Sequence, residues 1–160
     1  MSVLNPYDKF LDGRPLETIL TSTPPEIERL LATIAPDKVT ASPAPGKWSP
    51  AEIVAHLADC ELVFGFRLRQ TLAEDAPVIQ PFDQDKWAAT YSGVSVRQAL
   101  DVFSAMRGWN LRLIAGASPE AAARPMTHPE RGTMTFQNVV ETMAGHDLNH
   151  LAQLQKLAAS

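Results

Sequence analysis

Cysteines, basic clusters and long apolar runs are scarce in this sequence, and each absence excludes a class of protein. Cys60 is the single cysteine among the 160 residues, so no disulfide bond can form within them. No apolar run is long enough to cross a bilayer, and the first residues form no secretory signal pattern. The net charge is −4 and no Lys/Arg stripe is present, unlike in proteins that bind nucleic acid. We therefore expect a cytoplasmic protein that binds neither nucleic acid nor membranes.

Sustained alternation with β-branched residues is also missing, so the sequence predicts helices and no sheet. Start signals mark four helices, and the clearest is the capping box of Ser49 and Glu52 around Pro50. Thr23 is expected to cap the first helix, with Pro24 in its first turn. The predicted helices cover residues 24–35, 50–73, 95–115 and 135–157, with an extra helical turn or two over 16–22 and a hairpin-like loop over 126–134.

The connections between these helices favour one topology. About twenty residues separate the second helix from the third, and about as many separate the third from the fourth, whereas antiparallel neighbours in a bundle are usually joined by about 2–8 residues. The segment 77–91 is long enough to run the length of the bundle and to bring the third helix parallel to the second. The fourth helix would then be antiparallel to the second. We predict one all-α domain over residues 1–160, a four-helix bundle with a long crossover between helices 2 and 3.

Three of the four histidines lie on helix faces that should be apolar. His146 and His150 are four residues apart, so they share one face of the fourth helix, one turn apart. His56 lies about two turns into the second helix, and His150 about two turns before the end of the fourth. In antiparallel helices these depths coincide, whereas in an up-down-up-down bundle His56 would be more than ~10 Å from the pair. The sequence therefore predicts a metal site formed by His56, His146 and His150.

Nearby residues have simpler interpretations. A single histidine on an apolar face is usually a hydrogen-bonded core residue, so the metal prediction depends on the three histidines together. His128 is expected in a loop, in a structural or rim position. Cys60 is one turn from His56 and could bind a metal, but a small buried thiol is the favoured interpretation. Asp147 is expected to orient a ligating imidazole or to support the core with Arg107 as its counter-charge.

Several short motifs are spread over nearly the whole chain. They are Gly46-Lys47-Trp48-Ser49 with Glu52, His56-Leu57-Ala58-Asp59 with Glu61, Phe82-Asp83-Gln84-Asp85-Lys86-Trp87 with Tyr91, His128-Pro129-Glu130-Arg131-Gly132, and Gly145-His146-Asp147-Leu148-Asn149-His150-Leu151-Ala152-Gln153. In these motifs the chain resembles the DinB-like superfamily, which includes the YfiT-like metal-dependent hydrolases. The resemblance implies a four-helix bundle with a crossover and a three-histidine site for nickel or zinc, at His56, His146 and His150. The relatives also include thiol-dependent transferases that use bacillithiol or mycothiol, among them a maleylpyruvate isomerase.

The expected chemistry follows from the coordination. Three histidine ligands leave at least one position on a divalent ion open, which is the pattern of a catalytic zinc site. Such an ion lowers the pKa of a water or thiol that it binds, so the expected nucleophile is water or a thiolate at the metal. We predict a hydrolase or a thiol S-transferase acting on a small molecule, the transferase with a low-molecular-weight thiol. The sequence assigns no side chain as catalytic.

A non-catalytic metal-binding protein of the stress response is the alternative function. An open, substrate-sized pocket beside the metal would favour the enzyme, and a closed site would favour the alternative. Arg67, Arg107 and residues of the crossover loop are candidates for holding an anionic substrate, and the sequence does not choose among them. A homodimer is also expected.

Overall fold

The computed structural model describes residues 4–159, which form four long helices, short helical segments and a small sheet. The long helices are α1 (Leu16–Leu31), α2 (Pro50–Ala73), α4 (Val96–Ala115) and α6 (Phe136–Ala158). A 3₁₀ turn (Asp8–Phe10) precedes α1, and α3 (Gln84–Ala88) and α5 (Pro119–Ala122) lie in the connections. Strand β1 (Pro125–His128) pairs antiparallel with β2 (Gly132–Thr135).

The starts of α2, α4 and α6 follow directly from the sequence. Ser49 Oγ accepts a hydrogen bond from the Glu52 backbone N at 3.3 Å, and the Glu52 carboxylate accepts one from the Ser49 N at 2.7 Å. These two bonds form the predicted capping box. Thr135 and Asn138 cap α6 in the same reciprocal way, and Ser95 caps α4. The predicted bounds of these helices are confirmed to within one residue.

The predicted start and end of the first helix are wrong. The helix α1 begins at Leu16, so the helical turns expected over 16–22 form its first part, and it ends at Leu31 rather than near residue 35. Thr23 is not an N-cap but an interior residue of α1, and its Oγ1 donates to the Ile19 carbonyl O at 2.9 Å. Pro24 follows inside the helix and has no N–H, so the carbonyl of Leu20, four residues earlier, lacks its helical donor. Arg107 Nη1 donates to the Leu20 oxygen at 2.9 Å. A hydrogen bond from α4 therefore replaces the missing helical one. Sequence signals within α1 cannot predict such a contact from another helix.

The prediction of no sheet is also wrong. The sheet lies where a hairpin-like loop was expected. Strands β1 and β2 pair along their whole length, and the crossover adds to the edge of β1. Ile79 N donates to the Thr127 carbonyl O at 2.9 Å, and Thr127 N donates to the Pro77 carbonyl O at 2.8 Å. Both strands have four residues, too few for alternation to be recognised reliably.

The four long helices form the predicted bundle with a crossover. Contacting side chains show their directions: α2 and α4 are parallel, whereas α2 and α6 are antiparallel. The pairs that show this are Glu61–Arg107 and Arg69–Asn110 for α2 and α4, and His56–His150 and Phe64–His146 for α2 and α6. Residues 74–95 carry the chain back along the bundle, as the connection lengths predicted. No helix among residues 4–159 is long and apolar enough to cross a membrane.

Two apolar clusters fill the interior, and polar residues lie between them. One cluster includes Phe64, Leu68, Phe136 and Met143, and the other includes Ile53, Leu57, Phe103 and Leu154. The polar residues between them on α2 and α6 are His56, Glu61, His146, Asp147 and His150, each at most 4 % exposed. Burying a polar group without a partner costs several kcal/mol. The contacts of each buried polar group therefore show whether it is paired within the protein or could bind a ligand.

Candidate metal centre

Helices α2 and α6 bring three imidazoles together in the polar layer. His146 and His150 are one turn apart on α6, and His56 reaches them from α2. His146 Nε2 lies 3.0 Å from His56 Nε2 and 3.1 Å from His150 Nε2. Among the described residues, these three form a group whose possible metal-binding atoms all lie within 4.8 Å of one another. We call His56, His146 and His150 the imidazole cluster.

The imidazole cluster has the spacing and the charge state that a divalent ion requires. Two nitrogens bound to zinc at about 2.0–2.1 Å, at a tetrahedral angle, are about 3.3 Å apart. The observed separations of 3.0 and 3.1 Å are close to this value. Burial lowers the pKa of His56 to about 3 and that of His150 to about 4, and it holds the pKa of His146 well below the usual value. The rings are therefore neutral near pH 7, the form that binds zinc or nickel.

Gln153 sets the tautomer of His150. Its side-chain Oε1 lies 3.2 Å from His150 Nδ1. Because an amide oxygen can only accept, Nδ1 carries the hydrogen and the lone pair of Nε2 faces the cluster. Sequence reasoning missed this residue, since the helical pattern assigns it to the polar side of α6; its spacing of three residues from His150 is the available signal. By contrast, His146 Nδ1 is buried and has no hydrogen-bond partner in the described part of the chain.

Aromatic rings enclose the imidazole cluster. Trp48, just before α2, lies against His56 with the ring centroids 4.7 Å apart, and it stacks on His150 at 6.3 Å. Tyr7 meets His146 edge-on, with the centroids 5.0 Å apart. Gly145 permits this approach, because a Cβ at that position would lie 2.6 Å from the Tyr7 carbonyl O. The segment before α1 therefore covers one side of the cluster.

Asp147 contacts Arg107 rather than an imidazole. Its two carboxylate oxygens accept from Arg107 Nη1 at 2.6 Å and from Nη2 at 3.0 Å. Glu61 accepts from Arg107 Nη2 at 2.7 Å and from the side chain of Asn110 at 2.8 Å. We call Glu61, Arg107, Asn110 and Asp147 the ion-pair cluster. The predicted counter-charge for Asp147 is confirmed, but sequence reasoning missed Glu61, which lies four residues after Leu57 on the buried face of α2.

Cys60 and His128 lie close to the imidazole cluster without belonging to it. Cys60 Sγ is 3.5 Å from His56 Nε2 and 3.8 Å from His146 Nε2, and burial raises the pKa of its thiol. His128 is buried at the end of β1, and its Nδ1 accepts a hydrogen bond from the Glu130 backbone N at 3.1 Å. Burial lowers the pKa of His128, and the positive charge of Arg131 lowers it further.

Two depressions reach the imidazole cluster, and Tyr7 and Gln84 line both of them. A cavity of about 130 Å³ is lined by His56, His146 and Cys60, together with residues of the crossover and the hairpin. A groove of about 540 Å³ is lined by His150, Trp48 and Gln153. The groove lies within the roughly 300–1,000 Å³ range of small-molecule sites. The cluster is thus buried but accessible from the surface at its edges.

Comparisons with known proteins agree with this geometry. The family model for the DinB superfamily matches residues 19–154. A relative from Oceanobacillus iheyensis named "putative metal-dependent hydrolase" is 29% identical, over 91% of this chain and 90% of its own length. YfiT from Bacillus subtilis, described as "a probable metal-dependent hydrolase with an unusual four-helix bundle topology", has a TM-score of 0.84 and 20% identity, over 90% of this chain and 84% of that one. A mycothiol-dependent maleylpyruvate isomerase has a TM-score of 0.70 and 14% identity, over 88% of this chain and 61% of that one. The two structures share the fold of this chain.

Proposed function

This chain belongs to the DinB superfamily, and on that premise we propose that it is a divalent-metal-dependent enzyme acting on a small molecule. The imidazole cluster carries the proposal. Its three neutral rings are at most 4 % exposed, and their Nε2 atoms lie 3.0 and 3.1 Å apart in the two closest pairs. The names of the relatives support hydrolysis as the first candidate reaction.

The residues of the chain would bind and orient the metal. His56, His146 and His150 would each supply Nε2, and Gln153 would keep the lone pair of His150 directed inward. Trp48 and Tyr7 limit the access of water to the rings from two sides. A divalent ion bound there would lower the pKa of a water or thiol in its open position and so provide a nucleophile at neutral pH.

The groove beside His150 supports an enzyme over the non-catalytic alternative. A protein that only stores or senses a metal needs no substrate-sized space beside the site, whereas an enzyme does. The groove of about 540 Å³ shares His150 and Gln153 with the metal centre. A ligand in this groove would contact the ring that Gln153 orients.

Thiol S-transfer is the second candidate reaction. It is supported by the fold that this chain shares with the maleylpyruvate isomerase, which is mycothiol-dependent. The donor set is also compatible with it, because zinc and nickel both accept a soft sulfur donor alongside imidazoles. Zinc or nickel, a low-molecular-weight thiol, a cytoplasmic location and a homodimer remain predictions.

Metal content is the direct test of the site. We expect about one divalent ion per wild-type chain after purification and dialysis, and a clear loss in His150→Ala, since two imidazoles bind more weakly than three. His128→Ala is the matched control, because His128 is a buried histidine outside the imidazole cluster. Equal metal content in the wild type and in His150→Ala would overturn the proposal.

Cobalt substitution distinguishes the two reactions. With S-transfer, a small thiol adds a sulfur-to-cobalt charge-transfer band to the spectrum, and thiol-dependent turnover of an electrophile disappears in His56→Ala. With hydrolysis, ester or amide cleavage proceeds without any thiol and disappears in the same variant, and a thiol that binds the cobalt inhibits cleavage instead of supporting turnover. A metal-loaded wild type that shows neither activity across a broad substrate panel would favour the non-catalytic alternative.

A further inference from the structure

Arg67 is a buried arginine without a paired carboxylate. It is 7 % exposed on α2, and its Nη2 donates to the Gln80 carbonyl O at 2.9 Å. Its Nε is buried and has no acceptor among the described residues. Arg107 is even more deeply buried, at 2 % exposed, but it contacts two carboxylates, in Glu61 and Asp147. A buried guanidinium whose charge is left uncompensated is costly, so Arg67 needs an explanation that Arg107 does not.

The cavity beside the imidazole cluster contains this unpaired charge. Arg67 lines the cavity of about 130 Å³ together with His56 and His146. Arg131 and Glu130 also line it, so its charged side chains have an excess of one positive charge. Burial lowers the pKa of Arg67 to about 10, and the like charge of Arg131 acts in the same direction. Among residues 4–159, no ion pair compensates Arg67, since Glu130 interacts with it only from beyond 4.0 Å.

We propose that this cavity binds a small molecule through a carboxylate, which accepts hydrogen bonds from Arg67 while the rest of the molecule faces the imidazole cluster. The excess of one positive charge matches a monoanion better than a phosphate dianion. A guanidinium also fits the planar carboxylate with paired donors. At ~30 Å³ per water molecule, the cavity of about 130 Å³ has room for a carboxylate and roughly one further heavy atom. The proposal deepens the proposed function by naming a substrate class, but the Arg67 contact itself does not require the metal.

Titration of metal-free protein with acetate tests this contact. Nuclear magnetic resonance detects the weak binding expected of so small a probe, and the signals of the Arg67 guanidinium report on it. We expect saturable shifts with acetate and none with acetamide, its neutral analogue. Arg67→Gln should weaken acetate binding about tenfold or more, as the loss of a hydrogen bond to a charged group does. Arg112→Gln is the matched control, because Arg112 is exposed on α4 away from the cavity.

A second variant keeps the proposal testable if Arg67→Gln does not fold. Arg131→Gln removes the other positive charge from the cavity at a less buried position, and it should also weaken acetate binding. Equal affinity for acetate in the wild type and in a folded Arg67→Gln protein would overturn the proposal, as would equal binding of acetamide. Metal content separates the two proposals: Arg67→Gln should keep its metal, whereas a failure of the metal proposal is detected in His150→Ala.

Mercaptoacetate tests whether a thiol can supply the carboxylate. If Arg67 and the metal can hold both ends of one small thiol, mercaptoacetate binds the zinc-loaded protein far more tightly than mercaptoethanol, which lacks the carboxylate. If the carboxylate belongs to a substrate without a thiol, the two thiols bind with similar affinity and acetate still binds at Arg67. In both cases Arg67→Gln weakens the binding of acetate, and an unchanged affinity for acetate in that variant would contradict the proposal.

Discussion

The ion-pair cluster and the imidazole cluster lie side by side in the bundle and satisfy their polar groups in opposite ways. In the ion-pair cluster, Arg107 lies between the carboxylates of Glu61 and Asp147, and all three side chains have partners inside the protein. In the imidazole cluster, like groups face one another and His146 Nδ1 has no partner among the described residues. Adjacent residues of α6, His146 and Asp147, belong to different clusters. Buried side chains of opposite charge that pair with each other stabilise the fold. Buried polar side chains of the same kind that face one another indicate a site for a ligand.

Removal of Arg107 should have the largest effect and should affect stability. In Arg107→Met the carboxylates of Glu61 and Asp147 remain buried without a cation, and the Leu20 carbonyl loses its donor. We expect the free energy of unfolding to fall by about 3–5 kcal/mol, measured by urea denaturation of metal-free protein.

Arg112→Met is the control for this change, since Arg112 lies on the same helix with its guanidinium exposed over Trp109. Its effect should stay within about 0.5 kcal/mol, as is usual on the surface. A loss below about 1 kcal/mol in Arg107→Met would show that the ion-pair cluster contributes little to stability.

Zinc should stabilise the protein only through the imidazole cluster. At a free zinc concentration of 100 times the Kd, binding to the folded state should raise the free energy of unfolding by about 2.7 kcal/mol. The increase should be absent in His56→Ala and should be reversed by a chelator in the wild type. Urea denaturation in metal-buffered solution measures it, and an equal increase in both proteins would place the metal elsewhere.

Loss of Gln153 should have the smallest effect and should affect metal affinity alone. Gln153→Leu removes the acceptor from His150 Nδ1, so the ring loses its fixed tautomer. We expect the affinity for zinc to fall by about 10–100-fold, as losses around metal ligands typically do, with unchanged stability of the metal-free protein. Competition with a chromophoric chelator measures the affinity.

Asp147→Asn provides the contrast with Gln153→Leu. Because Asp147 pairs with Arg107, its replacement should lower the stability of metal-free protein, which Gln153→Leu should not do. The prediction that Asp147 also tunes metal affinity is tested in the same chelator titration. An affinity equal to that of the wild type would assign Asp147 to the ion-pair cluster alone.

Local signals predicted most of the fold and the convergence of three histidines. The box at Ser49 fixed the start of α2, and the shared face of His146 and His150, at the depth of His56, indicated the site. Contacts between distant segments were beyond such signals. The role of Glu61 depends on Arg107 from α4, and the continuation of α1 through Pro24 depends on the same arginine. Local patterns therefore identified where polar groups are buried, but their partners depended on how the helices pack.

The backbone hydrogen bonds between the crossover and the hairpin affect how fast a ligand can exchange. Phe82 and Gln84 of the crossover and Arg131 of the hairpin all line the small cavity. The backbone of Thr127 is hydrogen-bonded to the Pro77 carbonyl O at 2.8 Å and to the Ile79 N at 2.9 Å. These hydrogen bonds join the two segments just before they reach the cavity. Independent loops move in about nanoseconds to microseconds, whereas collective motions take about microseconds to milliseconds. Ligand exchange through this wall should therefore follow the slower, collective timescale.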